Sequence, residues 1–231
     1  MKKFVFLLSI IFTCCFMLPD YVKAAPKTPQ PVLQKAVIDV VEDVNKVAKV
    51  TEHIVVTNTD LIKNQKFEFT LSRINDLDVE NLVIKINGET LTPDINKGKA
   101  LVKLSVPFKN DVKEANVEAE YTVALKKDCF EVPMLVPIYA SMGAESIVTL
   151  NITVPEGMYI YSNSFPVVPH MEEGNHETIP MANIPSHIKF EFGAEKEGFF
   201  NEFSVISYVV FFALVAIIAK WIYTEINSDK N

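Results

Sequence analysis

The segment ANVEAEYTVAL, residues 115–125, decides the fold class of this chain. Apolar side chains occupy every second position in it: Val117, Ala119, Tyr121, Val123 and Leu125. Successive side chains of a β-strand point to opposite faces of the sheet. This period of two therefore predicts a strand with one buried side and one solvent-facing side.

Similar strands are predicted on both sides of this segment. They cover residues 47–57, 66–71, 82–91, 100–106, 146–154, 158–161 and 187–192. Within residues 82–91, Asn87 and Gly88 separate two apolar stretches and supply the positive φ angles of a type I′ turn, which predicts a hairpin. Eight or nine short strands with turn signals between them predict an all-β, immunoglobulin-like antiparallel β-sandwich over residues 46–193.

Residues 25–45 are predicted to be an N-terminal linker that leads into this domain. Three prolines within residues 25–31 favour an extended chain. The valine-rich residues 37–50 are compatible with a short amphipathic helix or with the lead into a strand, and their β-branched side chains favour the strand.

The C-terminal residues predict a transmembrane helix over residues 203–223. The sequence FSVISYVVFFALVAIIA, residues 203–219, holds no charge, proline or glycine. As a helix, residues 203–223 would be about 31 Å long, which matches the roughly 30 Å hydrocarbon core of a bilayer. Trp221 and Tyr223 are natural interface anchors, so we expect this helix to contact membrane lipid.

The N-terminal residues 1–24 predict a secretory signal peptide. Lys2 and Lys3 precede an apolar run over residues 4–18, and small residues follow near Ala24. An uncleaved signal anchor is the alternative. With a cleaved signal, the chain is a single-pass protein of the cell membrane whose N-terminal domain is extracytoplasmic. Residues 194–202 are then juxtamembrane, and the C-terminal residues 224–231 form a cytoplasmic tail.

The net charge argues against a nucleic-acid partner, and the cysteine content argues against an internal disulfide. The chain carries a net charge of −7, and residues 131–203 hold ten acidic and two basic residues. Nucleic acid is excluded as a natural partner, because phosphate binding needs clustered Lys and Arg. Of the three cysteines, Cys14 and Cys15 lie in the signal, which leaves Cys129 without a partner for an internal disulfide.

A loop over residues 165–185 and the residues just beyond it suggest a metal site. The candidate ligands are thioethers and imidazoles: His170, Met171, His176, Met181 and His187. Such ligands suit copper, and imidazoles with the interleaved carboxylates suit zinc. The spacing follows no fixed motif, so a solvated loop with incidental histidines is the other interpretation.

The apolar stretch over residues 130–144 suggests a partner-binding surface. Its candidate contact residues are Met134, Leu135, Ile138, Tyr139 and Met142. If these side chains are exposed, they form a docking patch. If the stretch crosses the core, they contribute only to packing.

The expected function is non-enzymatic. The sequence has no GxSxG, HExxH, CxxC or phosphate-cradling glycine motif. A hydrolase with an unrecognised site is still an open hypothesis, because catalytic groups converge in space from distant positions. We expect a membrane-anchored sandwich that binds or scaffolds another membrane or envelope protein. Extracytoplasmic copper or zinc binding is the alternative, and no other cofactor is expected.

Overall fold

The computed structural model describes residues 29–43, 45–73, 79–109, 111–125, 129–141, 146–166, 174–195 and 202–228. These residues form fourteen strands, a 3₁₀ turn at Thr59–Leu61 and one helix. The elements are β1 Val32–Glu42, β2 Val47–Thr57, β3 Lys66–Ser72, β4 Val79–Ile86, β5 Glu89–Leu91, β6 Asp94–Lys97, β7 Leu101–Pro107, β8 Glu114–Ala124, β9 Cys129–Pro133, β10 Leu135–Pro137, β11 Val148–Thr153, β12 Tyr159–Phe165, β13 His176–Met181, β14 His187–Gly193 and α1 Glu202–Ser228. The chain divides into two compact units, Met1–Gln30 and Pro31–Asn231, and all these elements belong to the second.

The strands form three sheets, which confirms the predicted all-β class with one C-terminal helix. The large sheet has seven strands in the order β13-β11-β1-β2-β8-β4-β5. The other two sheets have the orders β10-β3-β7-β6 and β12-β14-β9. Strands β1 and β11 are parallel, so the expectation of a purely antiparallel arrangement is wrong for this pair. The immunoglobulin-like arrangement stays a prediction.

The centre of the large sheet is the strand pair that the alternating pattern predicts most clearly. Strands β2 and β8 pair antiparallel over eleven residues, from Val47 opposite Ala124 to Thr57 opposite Glu114. The apolar positions of both strands are buried on one face; for example, Ile54 and Val117 are each 1% exposed. Side chains on the other face are partly or fully exposed. We call this second side the outer face of the large sheet.

Strand β1 occupies Val32–Glu42, within residues 25–45, for which the sequence predicts a linker that leads into the domain and favours a strand from residue 37. Strand β1 pairs with β2 as a hairpin and with β11 on its other side, so it lies inside the large sheet. Ala36, Ile38 and Val40 are fully buried. Lys35 and Asp39 alternate with them on the outer face, which explains why charges interrupt the apolar residues of this segment.

The predicted Asn87–Gly88 hairpin is confirmed. Strands β4 and β5 pair directly on either side of these residues, from Ile86 opposite Glu89. Asn87 has φ 53° and Gly88 has φ 83°. Both values lie in the left-handed region that a two-residue type I′ turn requires.

Three strands form in the two stretches, residues 130–144 and 165–185, for which the sequence predicts no strand. Strands β9 and β10 form from residues 129–137, and β13 forms from His176–Met181. Pro137 and Pro180 lie in β10 and β13, which are edge strands of their sheets. Proline is tolerated at an edge because it lacks only a hydrogen bond that would have pointed away from the sheet.

The two smaller sheets cover the buried face of the large sheet. The segment of residues 129–137 passes from the β12-β14-β9 sheet into the β10-β3 pair, with Met134 between the two strands. In this segment, the carbonyl oxygen of Pro133 lies 2.8 Å from the Tyr121 hydroxyl of β8. The Leu135 N–H donates to Glu52 of β2 at 2.9 Å. This crossover segment therefore contacts both central strands of the large sheet.

The C-terminal helix is long and apolar enough to span a membrane, which confirms the prediction of one candidate span. Helix α1 contains the apolar span Val205–Tyr223, which has a mean hydropathy of 2.4 and no buried part. Nineteen residues span about 28 Å as a helix, close to the thickness of the hydrocarbon core. The helix continues to Ser228, so most of the predicted tail over residues 224–231 is helical. The predicted signal peptide lies outside the described residues.

Candidate functional site

A row of polar side chains crosses the outer face of the large sheet. Thr178 of β13 lies opposite Asn151 of β11, which lies beside Asp39 of β1. Asp39 lies opposite Thr51 of β2, which lies opposite Glu120 of β8. All five residues are partly or fully exposed. We call these five residues, on five neighbouring strands, the polar row.

Hydrogen bonds fix the orientation of one half of the polar row. The side-chain amide of Asn151 donates to Asp39 Oδ1 at 2.8 Å. The Thr178 hydroxyl donates to Asn151 Oδ1 at 3.0 Å. Because each side chain holds its neighbour, the row presents polar atoms in a fixed arrangement toward solvent.

His176 extends this network at the edge of the sheet. Its Nε2 lies 3.1 Å from the Thr178 hydroxyl, and its Nδ1 lies 3.0 Å from the Thr153 hydroxyl. Thr178 uses its single proton on Asn151, so Nε2–H of His176 donates to Thr178. Both ring nitrogens of His176 therefore have hydroxyl partners, and the ring is the edge member of the network.

Charged side chains occupy the other half of the outer face. Lys85 of β4 forms ion pairs with Glu118 at 3.6 Å and with Glu120 at 3.9 Å. All three side chains are more than a third exposed, so these pairs contribute little to stability. Their contribution to the site is charge. The outer face combines the hydrogen-bonded groups of Thr178, Asn151 and Asp39 on one side with the charges of Lys85, Glu118 and Glu120 on the other.

The structure does not bring the described candidate metal ligands together. His176 and Met181 begin and end β13, about 17 Å apart at roughly 3.3 Å per residue. His187 begins β14 in a different sheet, and its ring stacks on Phe165 at 4.6 Å. Within the described ranges, no group of three or more His, Cys, Asp or Glu side chains is placed to hold a metal ion. His170 and Met171 lie outside the described residues, so the copper or zinc site stays a prediction.

The predicted docking patch over residues 130–144 is only partly available to a partner. Met134 and Leu135 are fully buried between the sheets, where removing their apolar surface from water is favourable. The docking hypothesis is therefore wrong for these two residues. Tyr139 is half-buried with its ring 4.9 Å from that of Phe67, whereas Ile138 is 53% exposed. Met142 lies outside the described residues.

No protein-family model and no curated protein matches the sequence. Among solved structures, the chain is similar to yeast LTA4 hydrolase in complex with bestatin, with 12% identity and a TM-score of 0.47 over 78% of this chain and 32% of that chain. An M1 zinc metallopeptidase from Deinococcus radiodurans gives 9% identity and a TM-score of 0.36 over 70% of this chain and 42% of that chain. The chain thus spans less than half the length of these neighbours. TM-scores this low assign neither a fold family nor an activity.

Proposed function

We propose that this chain is a membrane-anchored, extracytoplasmic β-sandwich protein that binds or scaffolds another membrane or envelope protein through the outer face of its large sheet. The observation that carries this proposal is the combination of an unburied apolar span, Val205–Tyr223, with an ordered polar row on a sheet face whose described side chains are partly or fully exposed. A membrane-spanning helix would hold the domain at a membrane, and the row would supply a surface for contact.

The proposed topology follows from the two ends of the chain. A cleaved signal over residues 1–24 would deliver the strand-rich body across the membrane, and α1 would then stop transfer. The body lies outside the cytoplasm in this arrangement, and the last residues lie inside. A partner anchored in the same membrane meets the outer face at a high effective concentration.

The order within the polar row favours protein recognition. Side chains that are already held by hydrogen bonds lose little conformational freedom when a partner binds. Thr178, Asn151 and Thr153 present hydroxyl and amide groups, which donate and accept hydrogen bonds. The complementary partner surface is therefore polar, with basic groups opposite Glu118 and Glu120.

The polar row is the surface on which the non-enzymatic proposal rests. The polar row itself lies on a sheet face rather than in a cleft, whereas enzymes bind small substrates in concave sites.

The proposal is tested by recovering the partner from detergent-solubilised membranes with the tagged full chain. Thr51→Arg places a long charged side chain within the polar row, between Asp39 and Glu120, and Asn96→Arg makes the same change on the exposed strand β6 of another sheet. We expect the partner to be lost with Thr51→Arg and retained with Asn96→Arg. Equal recovery with both variants, or recovery of this chain alone from the wild type, would contradict the proposal.

A further inference from the structure

A carboxyl group is buried at the centre of the large sheet. Glu52 is fully buried, and its neighbours in register are Ile38 of β1 and Ala119 of β8. Its Oε1 lies 2.6 Å from the Tyr121 hydroxyl and accepts the Leu135 N–H at 2.9 Å. Its Oε2 is buried without a hydrogen-bond partner. A buried ionised carboxylate with one bare oxygen is costly, so this geometry disfavours a charged Glu52.

The number of protons around Tyr121 leads to the same conclusion. The phenolic oxygen lies 2.6 Å from Glu52 Oε1 and 2.8 Å from the Pro133 carbonyl oxygen. Both are hydrogen-bond distances, but a phenol has only one proton to donate. If Glu52 were ionised, one of these contacts would join two oxygen atoms with no proton between them. A proton on Glu52 Oε1 satisfies both contacts, because Glu52 then donates to Tyr121 and Tyr121 donates to Pro133.

We propose that Glu52 is a protonation switch that joins the two layers of the domain. Its neutral carboxyl group holds the crossover segment, residues 129–137, against the large sheet, and loss of the proton releases this segment. On release, the proton passes to solvent and the carboxylate captures the Tyr121 hydroxyl proton as a hydrogen bond. The Pro133 carbonyl then loses its donor, and a buried negative charge lies beside the crossover segment.

Among the described residues, Tyr121 is the titratable group that contacts Glu52. Ile38 of β1 and Ala119 of β8 are the neighbours of Glu52 in register, and Leu135 of β10 donates to it. None of these three residues titrates. Burial raises the pKa of Glu52 to about 7, although the hydrogen bonds from Tyr121 and Leu135 act to lower it. The switch therefore operates near neutral pH.

The protonation state is tested directly in the full chain in detergent, with ¹³C-labelled glutamate side chains. We expect one carboxyl carbon to titrate near pH 7 in NMR spectra and to be missing from Glu52→Gln. Glu114→Gln, at an exposed position of β8, is the matched control and retains this signal. A wild-type spectrum in which every glutamate titrates in the ordinary range near 4.5 would overturn the proposal without any variant.

The release of the crossover segment is tested by hydrogen exchange, corrected for the intrinsic effect of pH. If opening exposes Glu52, amide protection in β9 and β10 falls about tenfold for each pH unit between about 4.5 and 7. Glu52→Gln, whose amide can donate to Tyr121, removes this dependence. Amides between β3 and β7 serve as the internal control. The proposed local release would be overturned if protection of the β3–β7 amides fell equally with pH. It would also be overturned if the fall in β9 and β10 were unchanged in Glu52→Gln.

Discussion

The side-chain amide of Asn151 on β11 donates a 2.8 Å hydrogen bond to Asp39 Oδ1 on β1. The two residues are 112 positions apart in the chain, and the parallel pairing of their strands places them side by side. Asn151 also accepts from Thr178, so it is the central member of the hydrogen-bonded half of the polar row. The integrity of the proposed binding surface therefore depends on this amide.

We expect Asn151→Asp to disrupt the polar row in a pH-dependent manner. Two carboxylates would then face each other, and the lost hydrogen bond with this repulsion should lower the free energy of unfolding by about 1–2 kcal/mol at pH 7. Most of the loss should disappear near pH 4, where one carboxyl group is protonated. Denaturant unfolding of the full chain in detergent measures both values. An equal loss at both pH values would exclude charge repulsion as the cause.

The stability of the domain should fall as pH rises from about 4.5 to about 7. The raised pKa of Glu52 means that the folded state keeps its proton in this range while the unfolded state has lost it. The free energy of unfolding should then fall by roughly 1.4 kcal/mol per pH unit, and this contribution should be constant below and above the range.

The difference between wild type and Glu52→Gln isolates this effect. Hydrogen bonds from the backbone N–H groups of Asn45 and Val47 lower the pKa of Asp43 below 3.8. The contribution of Asp43 to stability is therefore lost only at pH values below the range of Glu52. Wild-type unfolding curves that are the same at pH 5 and pH 7 would contradict a raised pKa for Glu52.

Gly88→Ala should destabilise the β4–β5 hairpin through backbone strain alone. An added Cβ would meet no atom within 4 Å, but the φ of 83° is unfavourable for any residue with a side chain. The expected cost is about 1–2 kcal/mol. Gly174→Ala is the matched control, because its nearest atom would lie 4.0 Å away and its φ is not in that region. Equal unfolding midpoints for the two variants would argue against a strained turn.

Protease added to sealed cells should remove the strand-rich domain and leave a protected fragment that contains the span Val205–Tyr223. This outcome follows from a membrane-spanning α1 with the body on the outside. Immunoblotting with a C-terminal tag measures the size of the fragment, and lysed cells provide the control in which the tag is also accessible. If the domain stays intact until the cells are lysed, the domain lies in the cytoplasm and the proposed topology is contradicted.

The alternation of apolar and polar side chains was sufficient to predict the central strands but not how the strands assemble into sheets. Residues 47–57 and 115–125 follow a period of two, and the structure places them as β2 and β8. Strands β9, β10 and β13 were missed because they are short and contain proline. At the edges of their sheets they need hydrogen bonds on one side only, which a local pattern does not reveal.

For the candidate site too, the sequence predicts which side chains face outward but not which distant strands lie side by side. The outward positions Asp39 and Thr51 are visible as the polar half of the alternation, but the parallel pairing that brings Asn151 to Asp39 is not. Glu52 likewise stands among the inward positions of β2, between Val50 and Ile54. Its contact with Tyr121 depends on the β2–β8 register, which no local signal specifies.

If the outer face of the large sheet contacts another membrane protein, photo-crosslinking in intact membranes should capture that contact. A photo-reactive residue is introduced at position 51, within the polar row, or at position 96 on β6. We expect one discrete adduct with a membrane protein from position 51 and none from position 96. No adduct from position 51, or the same adducts from both positions, would contradict the proposed contact.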